Sequence, residues 1–217
     1  MRMNKLRWAA SVALASLLAS CASSPPAPDY DAQVAEMMKT SFRDQGIAKV
    51  DRLQQDASNA ACSKAEGKAL PEATAKAIEA SNLKTVKMPS DGKFIGDWKE
   101  GEKLAQNGRG MTWTDVSAAT SANGGNCYNC HQITQSEISY GTIGPSLYNY
   151  GKIRGVSDPA SAASKAVVDY TWGKMYNAKA YNACSGMPRF GHAGLLDEMQ
   201  LKHLMALLLD PKSPVNQ

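Results

Sequence analysis

One pentapeptide constrains the fold of this chain more than any other feature: Cys127-Tyr128-Asn129-Cys130-His131. The spacing C-x-x-C-H is the attachment sequence for c-type haem. Two cysteines separated by two residues can both reach the edge of one porphyrin, where their thiols add to its two vinyl groups. The adjacent histidine can then supply an axial nitrogen ligand to the iron. The sequence therefore predicts one covalently attached haem c, held by Cys127, Cys130 and His131.

Two other chemistries use a C-x-x-C pair. A zinc site would need further Cys or His ligands at suitable spacing, and the sequence contains no second such pair. A redox dithiol is more typical of a cytosolic βαβ unit, whereas the amino terminus of this chain predicts export. Haem attachment is therefore the preferred interpretation. The alternative is a structural lipoprotein whose cysteines form only disulfides or bind zinc.

The first 20 residues have the pattern of an export signal. Arg2, Lys5 and Arg7 precede an apolar stretch at 8–18 that is too short to span a bilayer and ends in small residues. The sequence at 18–21, Leu-Ala-Ser-Cys, also resembles a bacterial lipobox, in which Cys21 becomes the lipidated first residue and 21–28 form a flexible tether. The alternative is ordinary cleavage near 19–24. We expect a periplasmic protein, anchored to the membrane if Cys21 is lipidated.

The mature chain carries little net charge. The formal net charge of the whole chain is +4, and loss of the three basic residues in 1–20 reduces it to about +1 by the same count. Bulk charge therefore gives no reason to expect a nucleic-acid partner.

Two cysteines remain once the signal and the haem sequence are assigned, Cys62 and Cys184. Two leftover thiols in an oxidising compartment usually pair. We therefore predict a Cys62–Cys184 disulfide that fastens the amino-terminal segment to the haem domain. The alternative is that one of the two is a free functional thiol.

The hydrophobic periodicity predicts an all-α fold. Residues 29–95 form a helical N-terminal extension, with one helix over 31–55 that Gly46 can interrupt and another beginning at Pro71. In the haem domain, 96–217, Asp97 caps a helix over 98–107, in which Gly101 allows another helix to approach closely. Two further helices are expected over 157–170 and 197–209.

A Gly- and Pro-rich turn at 140–147 follows the haem sequence. Such a turn allows the backbone to approach a flat ligand closely. A carbonyl in this turn can accept the second ring N–H of His131 and so fix its tautomer. Pro145 is the candidate, and an ordinary loop is the alternative.

The sixth iron ligand is predicted to be Met187. It lies in a loop, 184–191, and Pro188 directly after it stiffens the approach of its sulfur. His192 is a weaker rival, and His203, within the last helix, is better explained by packing or surface exposure. Ligation by His131 and Met187 leaves no open position on the iron, which favours electron transfer over substrate activation.

Together these segments resemble the SoxX family, the monohaem cytochrome subunit of the SoxAX complex. The segments that carry the resemblance are Gly-Asn-Cys-Tyr-Asn-Cys-His at 125–131, Gly-Thr-Ile-Gly-Pro-Ser-Leu at 141–147, Met-Pro-Arg-Phe-Gly at 187–191 and Leu-Leu-Asp-Pro-Lys-Ser-Pro-Val-Asn at 208–216, with weaker support at 96–98 and 101–103. The resemblance covers most of 96–217, and the extension is similar to that of longer family members.

The resemblance implies a class I cytochrome c fold for the haem domain. It also implies a partner, a SoxA-like cytochrome, and a complex that joins thiosulfate to a cysteine of a SoxYZ-like carrier, an L-cysteine S-thiosulfotransferase. This chain would be its electron-accepting subunit and would pass electrons to a downstream acceptor, with the sulfur chemistry on the partner and no catalytic residue of its own. An independent periplasmic electron shuttle is the alternative.

Overall fold

The computed structural model describes residues 28–217, and that part of the chain is helical with no β-strand. The helical character confirms the all-α prediction at that level. The predicted signal at 1–20, Cys21 and all of the predicted tether except residue 28 lie outside the described residues. The α-helices are α1 (Tyr30–Ser41), α2 (Ala57–Lys64), α3 (Glu72–Leu83), α4 (Trp98–Gln106), α5 (Tyr150–Ile153), α6 (Lys165–Tyr176) and α7 (Glu198–Leu209). Short 3-10 turns lie between them.

The chain divides into two compact units at Phe42. The described part of the first unit is essentially α1, which Asp29 caps by accepting the amide N–H of Ala32 at 2.9 Å. Residues 43–217 form the second unit. The predicted helix over 31–55 is too long, because α1 ends at Ser41 and Gly46 then adopts a left-handed turn with φ of 52°. The helix ends five residues before Gly46, with Phe42 already extended, so Gly46 is not the residue that interrupts it.

The core of the second unit is built on the close packing of α4 against α7. Asp97 caps α4 and accepts the amide N–H of Lys99, as predicted. Asp197 and Gln200 form a capping box at the start of α7, in which the side-chain oxygen of each residue accepts the backbone N–H of the other. Helix α7 is buried along most of its length, from Leu201 to Leu209 except for His203. Its apolar surface therefore organises the surrounding helices.

The close approach of α4 to α7 depends on Gly101. A Cβ atom at residue 101 would lie 2.2 Å from the carbonyl oxygen of His203 and 3.0 Å from Cβ of Leu207. Any side chain there would push the helices apart, so the predicted role of Gly101 is confirmed.

Helix α6 begins later than the sequence predicts. The prediction placed it at 157–170, whereas the structure has Lys165–Tyr176. Asp158 explains the difference, because its carboxylate accepts the amide N–H of Ala160 and its carbonyl accepts the hydroxyls of Ser161 and Ser164. These local bonds compete with helical hydrogen bonds and hold a turn instead.

Residues 43–95 are part of the same compact unit as the predicted haem domain. The indole N–H of the buried Trp172 donates to the carbonyl oxygen of Lys87 at 2.8 Å. The buried Asn177 amide donates to the side-chain oxygen of Asn82 at 3.0 Å. Cys62 and Cys184 form a disulfide bond across 122 positions of sequence. No helix within 28–217 is long and apolar enough to cross a membrane.

Gly101→Ala should destabilise the protein although alanine favours helices. The added Cβ would overlap the His203 carbonyl, and overpacking of this kind typically costs about 1–3 kcal/mol. Thermal unfolding measures the change. Gly186→Ala is the control, because nothing lies within 4 Å of its new Cβ, and its effect should stay within about 0.5 kcal/mol. A Gly101→Ala protein as stable as the control would show that the contact of α4 with α7 relaxes freely.

Candidate functional site

The C-x-x-C-H segment forms a tight turn. Cys127–Asn129 is a 3-10 turn, and the amide N–H groups of Cys130 and His131 both donate to the carbonyl oxygen of Cys127, at 3.1 and 3.0 Å. Asn126 enters the turn with φ of 51°, a left-handed conformation that asparagine tolerates better than most residues. This conformation orients the carbonyl of Cys127 toward both amides.

The entry to this turn is fixed to the carboxyl end of α4. The amide N–H of Gly125 donates to the carbonyl oxygen of Leu104 at 2.8 Å, and that of Asn126 donates to the carbonyl oxygen of Asn107 at 3.0 Å. A Cβ on Gly124 would lie 1.9 Å from the Asn107 carbonyl oxygen. The glycines before the turn therefore let the chain lie directly on the end of α4.

The turn at 140–147 is hydrogen-bonded to the same segment from the other side. Its amide N–H groups donate to carbonyl oxygens in a regular series: Gly141 to Tyr128 at 2.8 Å, Gly144 to Cys130 at 2.8 Å, and Leu147 to Gln132 at 2.7 Å. Two irregular segments are thus joined along their whole length by backbone bonds. A Cβ on Gly144 would lie 2.1 Å from Cε1 of His131, so only glycine leaves room for the imidazole.

This arrangement places the Pro145 carbonyl oxygen 2.7 Å from Nδ1 of His131. A carbonyl oxygen can only accept, so the hydrogen bond requires the proton on Nδ1. The lone pair of the neutral ring is then on Nε2, the nitrogen that could bind a metal. The contact is the one that the sequence predicts for Pro145.

Cys127 and Cys130 carry free thiols, whereas Cys62 and Cys184 are bonded to each other. Burial raises the pKa of the Cys127 thiol to about 12, and the adjacent Cys130 adds to the shift. The thiol is thus protonated at neutral pH, which argues against a reactive thiolate, the form needed for dithiol exchange. Within 28–217, no group of three or more His, Cys, Asp or Glu side chains is placed to hold a metal ion.

Met187 lies in an irregular segment between α6 and α7. It is partly buried and packs against the same hydrophobic core as Cys127 and Leu147. The Cys62–Cys184 disulfide joins this segment three positions before Met187. The structure therefore links Cys127, Cys130, His131 and Pro145 by hydrogen bonds, and Met187 packs against the hydrophobic core that Cys127 also contacts.

The two rival histidines have different surroundings. Nδ1 of His203 accepts the amide N–H of Asp97 at 2.9 Å, and a Cβ on Gly96 would lie 2.6 Å from the same nitrogen. His203 thus fixes the start of α4 against α7, which favours the structural role expected for it. The side chain of His192 is exposed, and its backbone N–H donates to the carbonyl oxygen of Tyr176.

Sequence reasoning missed a buried polar network beside the turn. The Tyr128 hydroxyl lies 2.8 Å from a carboxylate oxygen of Glu102 and 3.0 Å from the Thr134 hydroxyl. Burial raises the pKa of Tyr128, and the Glu102 carboxylate adds to that shift. A tyrosine between the two cysteines hinted at a packed side chain, but no spacing rule connects it to Glu102 on α4.

The comparisons with known proteins give a relative but no matching family model. No protein-family model matches the chain. A protein of Aquifex aeolicus (strain VF5) described as an "Uncharacterized lipoprotein" is 37% identical to it over 137 residues. That match covers 61% of this chain and 59% of the relative, so the chain spans less than two thirds of the relative's length.

Gly144→Ala should displace the His131 imidazole, because no space exists for the new Cβ beside Cε1. We expect a loss of stability of about 1–3 kcal/mol, together with a changed environment of the ring. Thermal unfolding and the NMR signals of the His131 imidazole measure the two effects. Gly186→Ala again serves as the control. An unchanged imidazole signal in Gly144→Ala would contradict the close contact.

Proposed function

We propose that the chain is a c-type cytochrome that carries one covalent haem c at Cys127 and Cys130. The observation that supports this most directly is the hydrogen bond from His131 to the carbonyl of Pro145. Iron-binding histidines commonly donate their second ring N–H to a carbonyl or carboxylate, which fixes the tautomer and the ring orientation.

The residues of this chain would divide the work of holding the cofactor. Cys127 and Cys130 would form the thioether bonds, and both carry free thiols. Nε2 of His131 would bind the iron, with the Pro145 carbonyl fixing the ring, and the sulfur of Met187 would be the second protein ligand. Haem c supplies one-electron transfer, and His/Met ligation raises its reduction potential relative to two nitrogen ligands.

We further propose that this cytochrome is the electron-accepting subunit of a thiosulfate-oxidising complex. The support is the resemblance of 125–131, 141–147, 187–191 and 208–216 to the SoxX family. Two of these segments, 125–131 and 141–147, are adjacent in the structure through the backbone bonds from Gly141 and Gly144. The sulfur transfer to the carrier protein would occur on the SoxA-like partner. In this chain the porphyrin and the two protein ligands would fill all six positions of the iron and leave none for a substrate.

The membrane anchor is a separate proposal. The lipobox-like sequence ending at Cys21 predicts a lipidated amino terminus, and the Aquifex relative is described as a lipoprotein. We propose that diacylglycerol on Cys21 holds the protein at the periplasmic side of a membrane, with the following Ser- and Pro-containing residues as the tether.

Isolation of the tagged full chain from its native envelope tests the cytochrome proposal. We expect haem that stays bound to the chain after denaturation, a second haem subunit in the eluate, and reduction of the visible haem bands only when thiosulfate and the carrier protein are both added. A lone haem protein that does not respond to them would instead be an independent electron shuttle. A colourless denatured chain would overturn haem attachment itself.

The mass of the mature amino terminus tests the anchor. We expect a lipid-modified Cys21. Cys21→Ala should release the protein from the membrane fraction, because the residue that carries the lipid is lost. A mature chain that begins after Cys21 would exclude the anchor.

A further inference from the structure

The segment that carries Met187 has little regular structure of its own. It runs from Tyr181 to Leu196, between the 3-10 turn Ala178–Ala180 and the start of α7. Gly186 and Pro188 flank Met187, whose amide N–H donates to the hydroxyl oxygen of Ser185 at 3.3 Å. A methionine side chain has three rotatable bonds. The position of its sulfur therefore depends on what holds this backbone.

Residues 56–79 of the extension hold the segment before Met187 in two places, by a disulfide bond and by a hydrogen bond. The first is the disulfide from Cys62 on α2 to Cys184. The second is at the preceding residue, where the amide N–H of Ala183 donates to the carboxylate of Glu79 on α3 at 3.2 Å. The carbonyl oxygen of Ala183 accepts from the ammonium group of the buried Lys179 at 2.9 Å. Both polar backbone groups of Ala183 are thus satisfied.

A third attachment lies on the other side of Met187. The guanidinium of Arg189, whose side chain is 18% exposed, pairs with the carboxylate of Asp56. The second carboxylate oxygen of Asp56 accepts the amide N–H of Asn59 at 2.8 Å and caps α2. The segment 183–189 is therefore attached to the extension both before and after Met187.

Within the second unit, residues 82–87 of the extension are bonded to α6 and the residue after it, so these attachments have a fixed base. Asn82, at the end of α3, is buried and bonded to Asn177, and Thr85 accepts a further bond from the same Asn177 amide at 2.9 Å. The indole of Trp172 holds the backbone at Lys87. Movement of α2 and α3 relative to α6 would break these buried bonds.

We propose that the extension is a positioning element for the sixth iron ligand, and that Cys62, Glu79 and Asp56 are its positioning residues. We call these three attachments the loop anchors. The proposal rests on the proposed function, because it gives the anchors the task of keeping the Met187 sulfur on the iron. Their physical effect is to reduce the conformational freedom of 183–189, so that less entropy is lost when the sulfur binds.

The test is the competition of added imidazole for the sixth position in the purified ferric holoprotein, together with the reduction potential. Met187→Ala defines the result of complete ligand loss. For Cys62→Ser/Cys184→Ser we expect imidazole affinity to rise by roughly 10- to 100-fold, the usual range when support behind a metal ligand is lost. The potential should fall, because loss of the sulfur ligand removes its positive contribution.

Glu79→Ala and Asp56→Asn test the noncovalent anchors. Each should raise imidazole affinity by roughly 2- to 10-fold, the equivalent of one hydrogen bond or ion pair. Glu79→Gln should restore the wild-type value, because its amide oxygen can still accept the Ala183 N–H. Asparagine is as good a helix cap as aspartate, so Asp56→Asn leaves α2 capped. Glu72→Ala is the matched control, because Glu72 lies on the same helix as Glu79 and pairs only with the exposed Lys76.

The outcomes separate the two proposals. If the wild-type protein carries covalent haem, and every anchor variant keeps the wild-type imidazole affinity and reduction potential, the positioning role is overturned. The proposal that the chain is a cytochrome then stands. Wild-type protein without covalent haem overturns the proposed function. If the double cysteine variant does not fold, Glu79→Ala, Glu79→Gln and Asp56→Asn still test the positioning role. Each of them changes one partly exposed group.

Discussion

The hydrogen bond between His131 and the Pro145 carbonyl is the interaction on which the candidate site depends. A single neutral hydrogen bond contributes only about 1 kcal/mol in net terms. Here the acceptor is held by three backbone bonds, from Gly141, Gly144 and Leu147, to the segment that contains the histidine. The bonds share one rigid pair of turns, so the orientation of the imidazole is determined by the backbone and not by a flexible side-chain partner.

That pair of turns depends in turn on the packing of α4 against α7. Gly125 is bonded to the last turn of α4, and a Cβ placed on it would lie 3.8 Å from a methyl group of Leu204 on α7. His203, one residue earlier, fixes the start of α4 through the amide of Asp97. Helix α4, which precedes the turn in sequence, and α7, which follows two helices later, therefore together form its base. A change that separates them would move His131 without touching it.

Features with a local cause could be predicted from the sequence. Asp97 precedes a helix and caps it, Gly101 lies where two helices meet, and Pro145 lies in a Gly-rich turn within reach of His131. The start of α6 could not be predicted, because the turn at Asp158 competes with the helix through bonds that the Ser161 and Ser164 hydroxyls supply. Long-range pairs were also missed, since nothing local relates Asp56 to Arg189 or Glu79 to Ala183. The pairing of Cys62 with Cys184 could be predicted only because the other three cysteines were already assigned to the signal and the haem sequence.

The two sides of the proposed iron site are therefore built differently. The histidine side uses residues 124–147, whose contacts close short loops and form at low entropic cost. The methionine side uses residues more than 100 positions apart, from Asp56 to Arg189, and its order depends on docking of the extension and on a disulfide. Loss of those distant contacts would free the methionine segment while the histidine turn keeps its own backbone bonds. If Met187 binds iron as proposed, its coordination, and with it the reduction potential, would thus be the property most sensitive to changes far from the C-x-x-C-H segment.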